Sequence, residues 1–569
     1  MLRPNLAGQF VCHGTPYVRG ASSGPLVASD LELSFWGGVH PQTGEIIDRH
    51  HPLSGRVLRD AILAIPGGRG SCSGSGVMLE LLLNHAGPRA IIFERREDIL
   101  TLGVMIAEEI FGQAIPVVTV KPVDFRRLVQ LDGHRIQVAD GRIILATNVQ
   151  LSDEDEAFLE GSHGEAARVA LRIILRMADL LDAHELMDVT QVHIDGCIYH
   201  GPGSLLFAER LRDWGGRVRV PTTLNSISID QKRWRSQGVD VAFGEAAEKL
   251  ASAYTDMGAR PTFTCSPYQL DSAPKLGEQV AWAESNAVVY ANSVLGARTM
   301  KYPDFLDIAI ALTGRTPRGG PHVDLNRRAS LIIRAPPMQD IDDSLYPLLG
   351  YHTGTIASSQ IPVILGMESL TPSKDDLKAF GAAFATVSSA PMFHIVGITP
   401  EATSLDAVIN QAPNVRSIDV QTRDLAQSWD NLNSASDSQP VDLISLGSPH
   451  LSLTEIRTLA ALCRGRTKKD TVTMMVTCGR ATRGLAQQAG LVDELATFGV
   501  EFLSDTCWCM ITEPTIPRSV ATIMTNSGKY AHYGPGLTGR KFYLGSLAGC
   551  VDAACQGWPA RGRPGWLVC

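Results

Sequence analysis

The sequence predicts an α/β protein in which a small β-rich domain is fused to a large, multi-lobed α/β domain with parallel sheets. At 569 residues the chain is too long for one ordinary hydrophobic core. Short apolar runs alternate with helical patterns along most of its length, and this alternation favours parallel sheets covered by helices. With 44% hydrophobic and 19% charged residues, the composition is that of a globular protein.

Residues 1–146 form the predicted small domain. Buried strands are expected at Ala61–Ile65 and Ile115–Val120, and helices at Val77–Leu83 and Leu102–Ile110. The segment from Val123 to Leu145 contains the dipeptides Asp132-Gly133 and Asp140-Gly141, which are both typical of hairpin turns.

Residues 147–569 form the predicted large domain. Its first helix is expected after Ser152, where four acidic residues fill the first turn, and a second helical face runs from Ala166 to Leu181. A long helical pattern lies between Gly277 and Gly296, the polar stretch Ser428–Gln439 is expected to be a surface loop or linker, and the tail from Gly557 is expected to be irregular. Strands are expected at Val189–Ile194, Phe393–Val396, Leu443–Leu446, Val472–Val476 and Val520–Met524.

Charge and cysteine usage narrow the class of partner. The net charge of -8 disfavours nucleic acid, whereas a local positive pocket for a small anion remains compatible with it. Met1–Asn5 lacks an apolar signal core, and no apolar run is long enough for a membrane span. We therefore expect a cytoplasmic protein whose 11 cysteines stay reduced. The sequence does not fix the oligomeric state, and a monomer is compatible with it.

The loop from Pro66 to Ser71 is the most informative local feature. It follows an apolar strand, continues through Cys72-Ser73-Gly74-Ser75-Gly76 and leads into a helix. A strand, a glycine-rich loop and a helix N-terminus together form an anion-binding arrangement, because unpaired amides and the positive helix end point at the ligand. Arg69, Gly70 and Ser73 are therefore candidate substrate-binding residues.

The loop does not fit the nucleotide-binding motifs. The Lys-Ser/Thr ending of a P-loop is absent, and Ser73 stands where the last glycine of a dinucleotide fingerprint should be. A turn with serine N-capping is one interpretation. In the other, amides and Arg69 stabilise the alkoxide of Ser71 enough for it to remove a carbon-bound proton.

At this point the sequence resembles the aconitase X branch of the aconitase superfamily. The small domain resembles the swivel domain of that family, in which a Gly-Ser-Ser turn presents an alkoxide serine to the substrate. Cys72 departs from the pattern, since a second serine is common there. The matching segments are Ser34–Val39, Gly44–Gly55, Gly68–Ser71, His193–Gly196, Pro221–Asn225, Ala283–Ala287, Asn292–Arg298 and Thr525–Lys529.

The resemblance implies an aconitase-like fold and a hydro-lyase with Ser71 as the base. The fused bacterial members of the family, which this chain resembles in carrying the swivel at the N-terminus, dehydrate cis-3-hydroxy-L-proline to Δ1-pyrroline-2-carboxylate. The substrate would then be a small hydroxy amino acid. Members with a separate swivel subunit dehydrate mevalonate 5-phosphate, which is one alternative. A non-catalytic, RNA-binding regulator is a second alternative, and the acidic net charge disfavours it.

The resemblance also implies an iron–sulfur cluster with three cysteine ligands, either [2Fe-2S] or [4Fe-4S]. The chain has no Cys-x-x-Cys pair, so spacing alone does not indicate a cluster. Matched by segment, the ligands are Cys265, Cys507 and Cys550. Cys509 and Cys555 lie close enough to be confused with them, whereas Cys12, Cys463 and Cys569 are expected to be structural or incidental.

Further candidate substrate-binding residues follow apolar runs of the large domain. His193 and Asp195 end a strand, where open α/β sheets place ligands, although a turn and a satisfied histidine would also explain them. Lys529 could pair with a substrate carboxylate or be an exposed lysine. His50, His51 and Arg49 are expected to be structural. The remaining candidates are Thr222, Thr223, Asn225, Glu284 and Asn286.

Overall fold

The structure is a computed structural model, and it describes residues 8–146, 149–409, 415–436 and 438–568. The chain divides into two compact units, Met1–Leu159 and Glu160–Cys569. No helix of the described part is long and apolar enough to cross a membrane. Two of the earlier interpretations, on Met1–Asn5 and Cys569, concern residues outside the described ranges.

The first unit contains one mixed sheet of eight strands in the order β1-β8-β7-β3-β4-β5-β6-β2. Strands β3 to β6 run parallel, and the other pairs are antiparallel. Its elements are β1 (Gly8–His13), β2 (Thr15–Val18), β3 (Ala21–Ala28), β4 (Ile62–Ile65), α1 (Gly74–Leu83), β5 (Ala90–Phe93), α2 (Ile99–Phe111), β6 (Val117–Thr119), α3 (Pro122–Val129), β7 (Arg135–Ala139), β8 (Arg142–Ala146) and α4 (Asp153–Glu160).

One of the two hairpin turns predicted in this unit is present in the structure. Asp140-Gly141 forms the hairpin between β7 and β8, with φ of 46° and 88°, a conformation that glycine and aspartate tolerate. The hairpin predicted at Asp132-Gly133 is wrong. A helix, α3, precedes that dipeptide, since Pro122 is well suited to a first helical turn. Asp132 instead accepts a hydrogen bond from the amide of Ala28 at 2.8 Å.

The second unit holds helices packed around several sheets. Its elements are α5 (Glu165–Leu180), β9 (Leu186–Asp188), β10 (Val192–Ile194), α6 (Pro202–Asp213), β11 (Thr222–Leu224), α7 (Val241–Asp256), β12 (Ala281–Trp282), α8 (Ser285–Tyr290), α9 (Leu306–Thr313), β13 (Arg315–Pro317), β14 (Leu331–Arg334), α10 (Leu345–Ala357), β15 (Pro362–Leu365), α11 (Lys374–Val387), β16 (His394–Ile395), α12 (Leu405–Val408), β17 (Arg416–Asp419), α13 (Thr422–Leu432), β18 (Leu443–Leu446), α14 (Leu453–Cys463), β19 (Thr473–Cys478), α15 (Arg480–Gln488), α16 (Leu491–Phe498), β20 (Val500–Ser504), β21 (Thr522–Thr525), α17 (Gly528–Thr538), β22 (Lys541–Leu544) and α18 (Leu547–Gln556).

Three parallel sheets dominate this unit, which confirms the predicted α/β class. Their strand orders are β11-β10-β12, β16-β15-β14-β17 and β20-β19-β18-β21-β22, and β9 and β13 form a separate antiparallel pair. In the five-stranded sheet the chain proceeds outward from β18 to β20 and then returns to β21 on the other side of β18. Open α/β sheets bind ligands at the carboxyl ends of the strands beside such a switch point, which here are β18 and β21.

Two helical boundaries differ from the sequence prediction. The pattern between Gly277 and Gly296 contains strand β12, the short helix α8 and a π-helical turn at Ala291–Leu295. Pairing of β12 with β10 overrides the helical periodicity there. In the polar stretch predicted as a loop, residues up to Leu432 belong to α13, because Leu425, Trp429 and Leu432 bury one helical face.

Candidate active site

Two layers of polar side chains lie at the carboxyl ends of β10, β11 and β12. His193, Thr223 and Trp282 stand in register across the three strands and form the lower layer. Asp195, Asn225 and Glu284 come two residues after these, just beyond the ends of β10, β11 and β12 respectively. Since side chains of a strand alternate between faces, residues two apart share one face of the sheet. The second set therefore forms an upper layer, at the edge where parallel sheets place ligands.

The lower layer is buried and neutral. His193 Nδ1 lies 2.8 Å from Thr223 Oγ1, and its ring packs against Trp282 at 5.9 Å between centroids. Burial lowers the pKa of His193 to about 3. The Nε2 atom of His193 and the Nε1 atom of Trp282 have no hydrogen-bond partner within the described ranges.

Asp195 is the acidic centre of the upper layer. Its carboxylate accepts a hydrogen bond from the amide group of Asn225. Its main-chain amide donates to Asp307 at 2.8 Å. Burial raises the pKa of Asp195 well above its ordinary value, and the nearby carboxylates of Glu284 and Asp304 raise it further.

Glu284 joins the upper layer to the third sheet of this unit. It caps α8 by accepting the amide of Ala287 at 2.8 Å, and it accepts a hydrogen bond from Asn286. Its other oxygen accepts a hydrogen bond from Lys529 Nζ at 2.9 Å. The sequence placed Glu284 within a helix, whereas its position before the first turn lets the carboxylate serve helix, asparagine and lysine together.

Lys529 is the buried cation of the site. It is the second residue of α17, at the switch point beside β18, and its side chain is 12% exposed. Burial lowers the pKa of Lys529, but the negative charges of Glu284 and three nearby cysteines outweigh that effect and hold the pKa well above its ordinary value. The exposed-lysine interpretation is therefore wrong.

The three cysteines beside Lys529 are Cys265, Cys507 and Cys509. Cys507 interacts with both other thiols and with Ser226. Hydrogen bonds from Cys265 and Cys509 lower the pKa of Cys507 well below its ordinary value, whereas burial raises the pKa of Cys265. The group thus places three sulfur atoms next to an ammonium group, a setting that favours metal-ligating sulfur.

Cys550, the third ligand predicted from the sequence, does not belong to this group. It lies one turn inside α18, fully buried among residues of the hydrophobic core such as Val441, Ile444 and Val551. Burial is the main cause that raises the pKa of Cys550, and no other cysteine contributes to that shift. Cys509 takes its place beside Cys507, and the short spacing Cys507-Trp508-Cys509 is the sequence signal that pointed to it.

The other candidates of this unit divide by what their side chains contact. Asn286 supports the cysteine loop, since it donates to the carbonyl of Cys265 at 3.1 Å and accepts a hydrogen bond from Tyr268. Thr222 lies apart from the upper layer, because its hydroxyl donates to the carbonyl of Val220 at 2.8 Å. A cavity of about 1070 Å³ beside α13 and α18 is lined by none of these residues.

The Ser71 loop of the first unit is exposed. Ser71 Oγ donates to Ser73 Oγ at 3.1 Å and accepts a hydrogen bond from the amide of Ser73 at 3.2 Å. The amides of Ser71 and Cys72 donate to no other group in the described part of the chain. Arg69 forms an ion pair with Asp48 at 2.9 Å, so its guanidinium is anchored beside the loop. The loop therefore combines a hydroxyl, free amides and a cation.

Close packing around the loop explains two of its glycines. Gly70 has a φ of 85°, and a Cβ there would lie 2.8 Å from Ser34 Oγ. A Cβ at Gly68 would lie 2.9 Å from the Glu97 carboxylate, which caps α2. Side chains at either position would displace the loop. Elsewhere in this unit His51 is buried, with its ring nitrogens bonded to the main chain of Leu31 and Leu53, which is a structural role.

Family comparisons cover almost the whole chain. The aconitase X swivel domain matches residues 11–146, and the first, second and third aconitase X domains match residues 148–325, 329–430 and 441–556. These ranges include the Ser71 loop and every polar group of the second unit described above.

Individual relatives agree with the family match. A cis-3-hydroxy-L-proline dehydratase of Hypocrea jecorina is 64% identical over 97% of both chains, and one of Pseudomonas aeruginosa is 50% identical over 97% of both. The crystal structure of Thermococcus kodakaraensis aconitase X in its holo form is 30% identical, with a TM-score of 0.64 over 71% of this chain and 100% of that chain. The chain therefore belongs to the aconitase X family.

Proposed function

We propose that this protein is a hydro-lyase that dehydrates cis-3-hydroxy-L-proline to Δ1-pyrroline-2-carboxylate. Two relatives that match it over nearly their full length carry that activity in their names. The structural observation that carries the proposal is the convergence of one buried ammonium, Lys529, with Glu284 and three cysteines at the carboxyl edges of parallel strands.

The proposed base is Ser71. As an alkoxide it would take the proton from the carbon that bears the carboxylate, and the electron pair of that C–H bond would form the new C=C bond as the β-hydroxyl departs as hydroxide. The hydroxide then takes a proton from solvent to become water. The resulting enamine then tautomerises to the cyclic imine. The amide of Ser73, which already bonds Ser71 Oγ, stabilises the negative charge on that oxygen. Arg69 and the amide of Gly70 contribute positive potential to the loop.

In the second unit, Lys529 is proposed to pair with the substrate carboxylate. Asp195 and Asn225, as neighbours in the upper layer, offer hydrogen bonds to the ring nitrogen and the hydroxyl. His193, Thr223 and Asn286 are not proposed to touch the substrate. They are proposed to position the side chains that do. Thr222 is the weakest of the original candidates, because its hydroxyl is engaged with the main chain.

The cysteine group fits an iron–sulfur cluster in donor chemistry. Cys265, Cys507 and Cys509 supply three sulfur ligands, in a buried setting where Lys529 compensates negative charge. Within the described ranges no three or more His, Cys, Asp and Glu side chains are grouped so that they could hold a metal ion, so the support for the cluster is the donor chemistry of these three cysteines. When bound, a cluster iron would act as a Lewis acid toward the departing hydroxyl.

Two further features belong to the proposal. We propose a domain boundary between residues 146 and 147, because the swivel match ends at residue 146 and the match to the next family domain begins at residue 148. Helix α4 then belongs to the large domain by sequence, although it clusters with the first compact unit. We also propose a cytoplasmic location, because the ten cysteines in the described part of the chain are free thiols and a reducing compartment preserves them.

A dehydration assay tests the proposed substrate. The purified protein is supplied separately with cis-3-hydroxy-L-proline, trans-3-hydroxy-L-proline and mevalonate 5-phosphate. The cyclic imine formed from either proline is detected with 2-aminobenzaldehyde, and the unsaturated acid formed from mevalonate 5-phosphate is detected by mass spectrometry as the loss of one water. Turnover of the cis isomer alone is the expected result. Turnover of mevalonate 5-phosphate without turnover of either proline would replace the proposed substrate, and no turnover of any of the three would reject the proposal.

A further inference from the structure

One buried histidine outside the proposed substrate contacts touches both cysteine-bearing loops. His450 follows β18 at the switch point of the five-stranded sheet, and none of its surface is exposed. Its ring nitrogens reach in two directions. Nδ1 lies 3.1 Å from Thr264 Oγ1, and Nε2 lies 2.8 Å from the carbonyl oxygen of Thr506. Thr264 immediately precedes Cys265, and Thr506 immediately precedes Cys507.

The partners of His450 determine its tautomer. A carbonyl oxygen can only accept, so Nε2 carries the hydrogen and donates it to Thr506. In a neutral ring Nδ1 is then an acceptor, and the hydroxyl of Thr264 donates to it. Thr264 Oγ1 in turn accepts the amide of Ser266 at 3.1 Å, so every atom of this chain of hydrogen bonds has a consistent role.

The main chain of His450 adds contacts to the same place. Its amide donates to the sulfur of Cys265 at 3.3 Å. Its carbonyl accepts hydrogen bonds from Gln269 at 3.2 Å and from Lys378 at 3.3 Å. Lys378 is itself buried and paired with Asp375 and Glu455, on α11 and α14. His450 is thus held from behind by a buried ionic group while its ring spans the two loops.

We infer that His450 is a positioning residue that holds the Cys265 loop and the Cys507–Cys509 loop at a fixed separation through the two nitrogens of its imidazole ring. The inference rests on the proposed assignment of these three cysteines as ligands. Groups that orient metal ligands contribute to metal affinity although they do not touch the metal. A group that orients ligands on a single loop affects only that loop. His450 contacts two loops, so its removal would free them from each other.

The chain offers a matched control in His394. This histidine lies on β16 of the four-stranded sheet and is also buried. Its Nε2 lies 2.8 Å from the carbonyl oxygen of Arg327. Three variants are therefore compared with the wild type. H450L removes both ring contacts, H450Q can restore a donor to Thr506, and H394L removes a buried imidazole elsewhere.

The first measurement is iron and sulfide retention during exposure to a chelator, with the unfolding temperature recorded in parallel. H450L is expected to lose iron about 10–100-fold faster than the wild type, H450Q is expected to lie between them, and H394L is expected to match the wild type. Retention in H450L equal to that in H394L would overturn the inference. If H450L and H394L unfold at equally lowered temperatures, a general loss of stability cannot explain faster iron release from H450L.

The second measurement needs no iron. In iron-free protein, alkylation of Cys265, Cys507 and Cys509 by iodoacetamide is followed peptide by peptide. H450L is expected to raise these rates about tenfold over H394L, because the loops open more often. Equal rates would overturn the inference. A wild type that binds no iron–sulfur cluster would count against the proposed function, and the alkylation rates would still decide the role of His450.

Discussion

The Ser71 loop and the Lys529 site both place polar groups at strand ends, but they differ in exposure and in the contacts that hold these groups. Ser71 is exposed, and its position depends on main-chain geometry and on glycines that admit no side chain. Lys529 is buried, and the Glu284 carboxylate from another sheet fixes it through an ion pair at 2.9 Å. Replacement of Ser71 should therefore leave the stability of the protein unchanged, whereas replacement of the buried Lys529 should also lower it.

The largest expected effect is on turnover by S71A. Removal of a general base lowers turnover by about 10²–10⁴-fold, and we expect the upper end of that range. The unfolding temperature should stay at the wild-type value, because the hydroxyl bonds only to Ser73. C72S is the control within the loop, since it changes a neighbouring exposed side chain and should keep turnover. An S71A protein with undiminished turnover would exclude Ser71 as the base.

The second prediction compares C509S with C550S. C509S should abolish iron binding and the visible absorbance, because it removes one of the three proposed ligands. C550S should keep both and instead lower the free energy of unfolding by about 1–3 kcal/mol, because it buries a hydroxyl in an apolar core. Iron content and urea denaturation of both variants give the answer. The reverse pattern, with iron lost only in C550S, would restore the ligand set predicted from sequence.

The third prediction concerns the buried ion pair. K529M should lower the free energy of unfolding by about 3–5 kcal/mol, since it leaves the Glu284 carboxylate buried without its cation. The double variant K529M/E284Q should regain part of that loss, because the unpaired charge is then absent. Denaturation of the two single variants and the double variant measures the coupling. Additive losses would show that Glu284 and Lys529 do not stabilise each other.

The smallest expected effect is on the pH dependence of stability. The folded protein keeps His193 neutral down to a pKa of about 3, whereas an unfolded histidine binds a proton below about 6.5. The unfolded state then binds more protons in that window, so stability falls as the pH falls. Between pH 6.5 and pH 5 this amounts to about 2 kcal/mol. H193Q should lack this part of the loss, and H50Q, at an exposed position, should retain it.

The sequence predicted most of what depends on local patterns. Strand β18, helix α5 and the hairpin at Asp140-Gly141 follow from periodicity and turn chemistry, and the structure has them where expected. It also singled out Glu284, Asp195 and Lys529, which the structure places at neighbouring strand ends. None of these inferences required knowledge of which strand pairs with which.

What failed depended on tertiary packing. Cys550 was assigned by matching its segment to the family, but the helix that begins at Leu547 buries its thiol in the core, apart from the other two cysteines. His450 attracted no attention, since nothing in its sequence neighbourhood indicates that Thr264 and Thr506 meet at its ring. A residue that bridges two distant loops has no local signature, and it becomes visible only once the order of strands is known.

The two-layer arrangement at β10, β11 and β12 also limits how this protein can vary in length. Asp195, Asn225 and Glu284 share one face only because each stands two residues after its partner in the lower layer. Insertion or deletion of one residue inside any of these strands would turn its upper-layer group to the opposite face of the sheet. Length changes should therefore be tolerated in the connections that approach the amino ends of these strands and be lethal to activity within them.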